Sequence, residues 1–393
     1  MEVDILNIPK LRFKDNNGND YPQWEKKLIK DILKIYHGKD YKNEPNEKKL
    51  YPVLGTGGII TYIDKFLCDW ECVLIGRKGT INKPQYMKTP FWSVDTLFYS
   101  KPKLKQNPKF QYYLFQNINW KIYDESTGVP SLSASTIEHI NRFIPTYAEQ
   151  EKIASFFSTI DKKIENLANT ITSLENQKKG LLQQIFSQKL RFKDKNGNNY
   201  PNWEKKKLGD ITQSQGGTAL EKYTTTNGLY KFISIGNYST YSTYLDNGIR
   251  IDLNNKTKKQ LLSKNDLVMI LNDKTSSGNI IGRTLLIDKD NTYIYNQRSQ
   301  RLICNTKIII PSFLYFLLNS DFRKNIIKKV QGATQIYINY STIEVMHLNI
   351  PCLEEQTKIA DFLSAFDRKL ENQKAQLEHW KQIKKGLLQQ MFV

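Results

Sequence analysis

The sequence repeats two segments, one near the start and one at the end of each half of the chain. Residues 11–32 and 190–211 lie 179 positions apart and share 16 of 22 residues. Residues 144–186 and 350–392 lie 206 positions apart and share 21 of 43 residues. The chain is therefore two tandem repeats, at about 11–189 and 190–393, and the middle of the second is 27 residues longer.

The middles of the two repeats, 33–143 and 212–349, show little sequence similarity to each other. A duplicated enzyme should keep its active site alike in both copies. A protein that recognises two different targets should instead have middles that diverge. The pattern favours one framework that carries two different inserts. The alternative is an old duplication in which one copy decayed.

The charge of the chain indicates a polyanionic partner. The formal net charge is +19 and the isoelectric point is about 9.4. Lys and Arg bind nucleic acid by displacing counterions that are condensed on the phosphates. We therefore expect a nucleic-acid partner, the alternative being a Lys-rich surface kept for solubility.

Local patterns predict strand-rich inserts followed by long helices. Alternating apolar runs and Gly-containing turns predict strands at 50–54, 59–62, 72–75 and 91–98 in the first insert, and at 230–235, 266–271 and 280–287 in the second. Each closing segment then carries apolar residues at alternating steps of four and three for about five heptads, broken by Lys178, Gln373 and Lys384. Such a seam predicts coiled-coil helices, each a rod of roughly 55 Å. Trp24 and Trp203 in the repeated openings are expected to be packing anchors.

No catalytic or metal site is expected in this chain. The four cysteines and four histidines do not stand at metal-ligand spacing, which favours buried free thiols. The Gly55-Thr-Gly-Gly58 and Gly76-Arg-Lys-Gly-Thr80 strings lack the order of nucleotide-binding loops. The first six residues lack the pattern of a signal peptide, and the apolar stretch 308–318 is broken by Pro311. We therefore expect a cytoplasmic protein with no membrane partner.

Several of these segments together resemble the specificity subunit of type I restriction-modification systems. The resemblance covers nearly the whole chain. It is carried by the Trp24-Glu-Lys-Lys and Trp203-Glu-Lys-Lys openings, by Tyr51-Pro-Val-Leu-Gly-Thr-Gly-Gly-Ile-Ile, by Leu74-Ile-Gly-Arg-Lys-Gly-Thr80, and by the Ile-Pro…Glu-Gln-x-Lys-Ile-Ala…Leu-Leu-Gln-Gln helices. The second insert departs from the Gly-Arg-Lys-Gly-Thr form, with a polar loop at 272–278 and Gly282-Arg283-Thr284 instead.

The resemblance implies an α+β fold: two globular strand-rich recognition domains separated by two long antiparallel coiled-coil helices, as a tandem pseudo-twofold repeat. The corresponding boundaries are 1–143 for target recognition domain 1, 144–189 for conserved helix 1, 190–349 for target recognition domain 2 and 350–393 for conserved helix 2. It implies a non-catalytic subunit that reads a bipartite, asymmetric double-stranded DNA target. Two methyltransferase subunits and restriction subunits would join it, and these would use S-adenosylmethionine, ATP and Mg²⁺, with no cofactor in this chain.

Base contacts are expected on projecting loops of the inserts. Major-groove reading uses Arg or Lys toward guanine and Asn or Gln toward adenine, whereas phosphate contacts position the protein without specifying sequence. The candidates in the first insert are Arg77, Lys78, Thr80, Asn82, Ser131, Ser133 and Ser135. Those in the second are Asn272, Lys274, Thr275, Ser276, Arg283, Gln335, Tyr337 and Asn339. For each, the alternative is a solvated loop residue or a phosphate clamp; for the whole chain, the alternative is a stand-alone two-domain nucleic-acid-binding regulator.

Overall fold

The computed structural model describes residues 9–392 and separates them into two compact units. Within these residues, unit 1 comprises 9–169 and 374–392, and unit 2 comprises 170–373. The units differ from the sequence repeats, because each unit takes in the end of the other repeat's closing segment. The expectation of no signal peptide falls on residues outside the described part, as do the outermost ends of the predicted domains 1–143 and 350–393.

Unit 1 places three β-sheets and short helices ahead of a long helix. Its elements are β1 (Glu25–Leu28), α1 (Ile29–Ile32), β2 (Leu33–Tyr36), β3 (Tyr51–Gly55), β4 (Gly58–Ile63), β5 (Cys72–Gly76), β6 (Gln85–Met87), β7 (Trp92–Ser93), β8 (Leu97–Pro102), α2 (Pro108–Asn117), α3 (Ala134–Glu138), β9 (Asn141–Ile144) and α4 (Tyr147–Phe186), the last continuing into unit 2.

Unit 2 follows the same plan with some additional short strands. Its elements are β10 (Glu204–Lys207), α5 (Leu208–Ile211), β11 (Thr212–Gly216), β12 (Thr224–Thr225), β13 (Tyr230–Ile233), β14 (Arg250–Ile251), β15 (Leu267–Ile270), β16 (Asn272–Asp273), β17 (Thr284–Leu286), β18 (Tyr293–Tyr295), β19 (Ser299–Cys304), α6 (Pro311–Leu318), α7 (Asp321–Ile327), β20 (Ile336–Tyr337), α8 (Tyr340–Glu344), β21 (His347–Ile350) and α9 (Leu353–Met391), which continues into unit 1.

The two inserts share a strand order although their sequences differ. A four-stranded sheet has the order β2-β8-β5-β6 in unit 1, where it is the larger sheet, and β11-β19-β15-β17 in unit 2, and all of these neighbours are antiparallel. A second sheet contains one parallel pair in each unit, β3 with β7 and β13 with β18. The two inserts therefore share one topology, and they differ in their side chains.

Most predicted strands are confirmed within a residue or two at each end. The predicted strand 91–98 is wrong, because the structure divides it between β7 and β8, which belong to different sheets. Between them the chain turns, and Leu97 N donates to Val94 O at 2.9 Å. Apolar residues on both sides of this turn are buried, and the sequence pattern therefore resembles that of one strand. The predicted strand 280–287 is shortened to Thr284–Leu286, since the residues before it belong to a loop.

A buried glutamate at the start of each long helix holds the repeated opening segment. In unit 1, Glu149 accepts from Arg12 Nε at 3.0 Å, from Arg12 Nη2 at 2.7 Å and from Trp24 Nε1 at 3.1 Å. In unit 2, Glu355 makes the equivalent bonds with Arg191 at 3.1 and 2.7 Å and with Trp203 at 3.1 Å. The hydrogen bond to the glutamate raises the pKa of each arginine. The predicted anchor role of the two tryptophans is confirmed.

The glutamine that follows each glutamate connects the insert to the helix. Gln150 Oε1 accepts from Asn107 N at 3.0 Å, and its Nε2 donates to Pro145 O at 3.0 Å. Gln356 repeats both bonds, with Ile310 N at 2.8 Å and Pro351 O at 2.9 Å. Both glutamines are buried. The repeated Glu-Gln pair thus fixes the point at which each insert returns to the framework.

The predicted pairing of two long antiparallel helices is confirmed in each unit separately. In unit 1, Lys384 Nζ lies 2.7 Å from Asp161 Oδ1, and the ring centroid of Phe392 lies 6.2 Å from that of Phe157. In unit 2, Lys178 Nζ lies 2.5 Å from Asp367 Oδ1. Positions rise along one helix as they fall along the other. The lysines that interrupt the apolar seam are therefore halves of ion pairs between helices.

The end of each long helix closes the core of the unit that it enters. Phe392 packs against Trp24 and Phe110 in unit 1, at centroid distances of 6.2 and 5.5 Å. Phe186 packs against Trp203 and Phe313 in unit 2, at 6.4 and 5.8 Å. Within the part of the chain that the structure describes, every helix is too short or too polar to serve as a transmembrane span.

Candidate nucleic-acid interface

In unit 1 the central strand of the larger sheet delivers a tight loop to the surface. All of β5 is buried, and the chain leaves it through Gly76 into the exposed Arg77 and Lys78. A Cβ on Gly76 would lie 2.2 Å from Thr80 O, and Gly79 has φ +91°. These two positions require glycine for different reasons, a close backbone approach and a left-handed conformation. The Gly-Arg-Lys-Gly-Thr string is thus a turn that presents two cations.

A second segment lies beside this loop and brings another predicted residue to it. Lys78 forms a β-bridge with Ser131, Gly79 N donates to Pro130 O at 2.7 Å, and Leu132 N donates to Arg77 O at 2.8 Å. The Asp124 carboxylate fixes this segment by accepting from Ser131 N at 2.9 Å, and the pKa of Asp124 is lowered mainly by that bond. Predicted residues that are 53 positions apart in the sequence are therefore adjacent in space.

The other predicted residues of the first insert differ in what their side chains already do. Ser133 caps α3, because its Oγ accepts from Thr136 N at 3.0 Å and donates to Glu125 Oε1 at 3.0 Å. Ser135 is exposed on the same helix. Thr80 is half-buried in the loop, and Asn82 is exposed just after it. Ser133 is committed to the fold, whereas Arg77, Lys78, Asn82 and Ser135 face solvent.

Unit 2 presents predicted residues at the equivalent place. The strand β16 follows the central strand β15 and pairs with β20, which sets Asn272 opposite Tyr337. Gln335, Tyr337 and Asn339 are exposed and alternate with buried Ile336 and Ile338. This period of two puts all three predicted side chains on one outward face, as in any half-buried strand. Lys274, Thr275 and Ser276 are exposed in the loop that follows Asn272.

The two surfaces correspond through the framework and differ in their chemistry. In each unit the loop after the central strand pairs with the segment just before a short helix, as Lys78 with Ser131 and Asn272 with Tyr337. Ser131 and Tyr337 are 206 residues apart, the same offset as the closing helices. One place in the fold therefore carries two cations in unit 1 and amide and phenol groups in unit 2.

Arg283 is held more firmly than a solvated loop arginine would be. Its Nε donates to Asn279 O at 2.7 Å and its Nη1 donates to Ser242 Oγ at 3.1 Å. Burial lowers its pKa. A base contact by Arg283 would compete with these bonds.

Sequence reasoning did not place two turns next to these surfaces. In unit 1, Thr56 stands at the tip of the β3–β4 hairpin, and a Cβ on Gly79 would lie 4.0 Å from its Oγ1. In unit 2, the turn that contains Tyr241 joins bridged Tyr238 and Tyr244 and reaches Arg283 through Ser242. The Gly55-Thr-Gly-Gly58 string did predict a turn, but the sequence did not show that this turn lies beside the loop at Gly79.

A basic cleft in unit 2 lies close to the surface that Asn272 and Tyr337 form. It is lined by Lys328, Lys329 and His347 together with Asn325, Thr342, Val345 and Met346. Lys207 lies directly opposite His347 in the β10–β21 ladder. Lys329 of the cleft is two residues from Gln331, which is bridged to the predicted Tyr337. Cations beside an outward amide and phenol face are typical of a surface that binds phosphates around the bases it reads.

Comparisons with known proteins agree on one family. Residues 21–176 and 200–379 each match the sequence model described as type I restriction modification DNA specificity domain. The chain is 26% identical to the type I restriction enzyme MjaVIII specificity subunit of Methanocaldococcus jannaschii, over 96% of this chain and 94% of that protein. It is 24% identical to the MjaIX specificity subunit of the same organism, over 98% and 94%.

The fold is also similar to a solved structure. The S subunit of the type I restriction-modification system of M. genitalium aligns with a TM-score of 0.66 and 17% identity, covering 98% of this chain and 99% of that one. At this identity the likeness concerns the fold.

Proposed function

Because this chain belongs to the type I restriction-modification DNA specificity family and is a specificity subunit, we propose that it reads a bipartite, asymmetric double-stranded DNA target. One half of the target is read by unit 1 and the other by unit 2. The observation that carries the proposal is the pair of equivalent surfaces with unlike chemistry, Lys78 beside Ser131 and Asn272 beside Tyr337. Equal topology with unequal side chains is what two different half-sites require.

The proposed base contacts are the exposed predicted residues on these surfaces. Arg77 and Lys78 suit guanine, which presents two acceptors in the major groove, and Gln335 and Asn339 suit adenine. Lys328, Lys329 and His347 suit backbone phosphates beside the second half-site. Specific and non-specific contacts would then lie side by side within one unit.

The partners follow from the same assignment. We propose that two methyltransferase subunits dock on the repeated framework and that restriction subunits join the full complex in the cytoplasm. Methyl transfer to adenine with S-adenosylmethionine, and cleavage with ATP and Mg²⁺, would belong to those subunits, and this chain would supply recognition. A framework that occurs twice, with a Glu149 or Glu355 clamp in each copy, supports two equivalent docking sites.

The test is to exchange one insert and map the DNA that the complex methylates. The full chain is co-expressed with the methyltransferase of its own system, and a second version carries the insert of another specificity subunit in place of residues 33–143. We expect one half of the methylated sequence to change and the other half to stay. A folded chimera in which both halves change would contradict the proposal. A chain that captures no methyltransferase but still binds duplex DNA would favour the stand-alone regulator.

A further inference from the structure

A loop in unit 2 exposes four consecutive polar side chains between two buried residues. Residues 274–277 are all exposed, whereas Asp273 before them and Gly278 after them are buried. The exposed residues are Lys274, Thr275, Ser276 and Ser277. The loop leaves from the Asn272–Tyr337 pair, so it starts at the proposed reading surface.

Asp273 holds the loop from inside. Its Oδ1 accepts from Thr275 N and from Thr275 Oγ1, both at 3.0 Å, and its Oδ2 accepts from Ile280 N at 2.9 Å. Burial raises the pKa of Asp273, but the bonds from Ile280 N, Thr275 N and Thr275 Oγ1 outweigh burial, so the pKa is lowered and the carboxylate is ionised at neutral pH. One carboxylate thus joins the start of the loop to its end, seven residues later.

Arg323 holds the same loop from the neighbouring helix α7. Its Nε donates to Ile281 O at 2.9 Å and its Nη2 donates to Gly278 O at 2.5 Å. Gly278 and Gly282 have φ +65° and +72°, and a Cβ on Gly282 would lie 3.0 Å from Ile326 of α7. The backbone of the loop therefore lies directly against α7, and a planar guanidinium can bond two of its carbonyls at once.

We propose that Arg323 is a positioning residue for DNA recognition: it fixes the backbone of residues 274–282 so that the side chains at 274–277 meet one half of the target in a single geometry. This inference rests on the proposed function, because it requires unit 2 to read DNA. A loop that is ordered before binding loses less conformational entropy on binding and discriminates better between bases.

Two features distinguish this role from a direct phosphate contact. The two recorded donors of Arg323 point to carbonyl oxygens of its own unit. Arg323 is half-buried, and its burial, together with the nearby Arg283, lowers its pKa to about 10, so it stays protonated at neutral pH. A phosphate-binding arginine would keep its donors toward solvent.

The test compares three full-length variants by selection from a duplex DNA library with randomised positions. Arg323→Gln removes the charge, and Arg323→Lys keeps the charge but cannot reproduce the two-pronged geometry. Arg301→Gln is the matched control. Arg301 is also a largely buried arginine of unit 2, and it pairs with Asp266 at 2.6 Å, at the opposite end of β15 from the loop. The melting temperature of each variant is measured alongside.

We expect both Arg323 variants to lose roughly tenfold in base discrimination, an effect of the size of one good base contact, within one half-site only. The other half-site should be unchanged, and Arg301→Gln should leave both intact. Full recovery by Arg323→Lys would mean that only the charge matters and would overturn the inference, as would equal losses in Arg301→Gln. If Arg323→Gln has a clearly lower melting temperature than the wild type, the test rests on Arg323→Lys alone. If the wild-type chain selects no two-part sequence at all, the proposed function fails instead.

Discussion

The framework depends on one side chain in each repeat that satisfies several donors at once. Glu149 has a fully buried side chain and binds both Arg12 and the indole N–H of Trp24. Removing one partner from a buried pair leaves an uncompensated charge, which costs more than the pair itself contributes. The repeated arginine, tryptophan and glutamate are therefore required for the fold. The sequence predicted only that the tryptophan is a packing anchor.

The first prediction concerns this glutamate. We expect Glu149→Ala to lower the free energy of unfolding by about 3 kcal/mol, because Arg12 and Trp24 lose their common acceptor. Glu165→Ala, at an exposed position of the same helix, should change it by less than about 0.5 kcal/mol. Chemical denaturation monitored by tryptophan fluorescence would measure both. Similar values for the two variants would mean that the buried pair contributes nothing special.

The second prediction separates base reading from phosphate binding in unit 2. Asn339→Ala should relax the preference at one base pair and weaken specific binding by about 1–3 kcal/mol. Lys329→Ala should weaken binding to all sequences alike and reduce the salt dependence by about one contact. Titrations with the target and with base-substituted duplexes distinguish the two patterns. An unchanged base preference in Asn339→Ala would remove Asn339 from the reading surface.

At the scale of elements, the sequence predicted the helices and most strands but not how the inserts correspond. Periodicity finds a strand because side chains alternate or are buried, and many apolar residues satisfy that condition equally well. Val73 and Ile75 in β5 and Leu267 and Met269 in β15 face the larger core of their units without matching in type. The common strand order was therefore invisible in an alignment of residues. The pairing of Lys78 with Ser131 was also hidden, since only the fold brings them together.

Polar residues in the helical seam have a definite role in this fold. Asp161 pairs with Lys384, Lys178 pairs with Asp367, and both members recur at the offset of 206. A polar pair within an apolar seam specifies register and direction at some cost in stability. The pairs differ in one respect: Asp161 also accepts from Tyr113 Oη at 2.7 Å, whereas Phe316 has no hydroxyl to offer Asp367.

The third prediction uses that difference. Asp161→Asn should destabilise the protein by about 1 kcal/mol more than Asp367→Asn, because it replaces the hydrogen bond from Tyr113 to a charged carboxylate by a weaker bond to a neutral amide. A charge exchange, Asp161→Lys with Lys384→Asp, should recover part of the loss that each single change causes. Thermal unfolding of the singles and the double gives the coupling free energy. Strictly additive losses would show that the two side chains do not interact.

At the scale of the whole molecule, the fourth prediction concerns charge. A surplus of 19 positive charges and basic sites such as Lys328 and Lys329 imply many phosphate contacts. Each contact contributes a slope of about −0.9 to the logarithm of affinity against the logarithm of salt concentration. We expect a slope of about −5 or steeper for duplex binding. A nearly flat dependence would show that the charge does not act on DNA.

The fifth prediction follows from the exchange of helix ends. In the intact chain, unit 1 is completed by residues 374–392, including Lys384 and Phe392. A fragment that ends at Gln188 lacks them, but its own helix carries the equivalents 206 positions earlier, Lys178 and Phe186. A second copy can therefore supply to each core what the missing segment supplied. We therefore expect a twofold dimer in which Asp161 of each copy pairs with Lys178 of the other.

We expect the fragment to be a dimer at micromolar concentration and to direct its methyltransferase to an inverted repeat of one half-site. Phe186→Ala in the fragment should weaken the dimer, since it removes a large aromatic side chain from each shared core. Phe186→Ala in the full chain should instead destabilise unit 2, where Phe186 packs against Trp203. Sedimentation velocity and a map of methylated sites test both statements. A soluble monomeric fragment, or methylation of the original asymmetric target, would mean that the helix ends are not interchangeable and that the two units do not read separately.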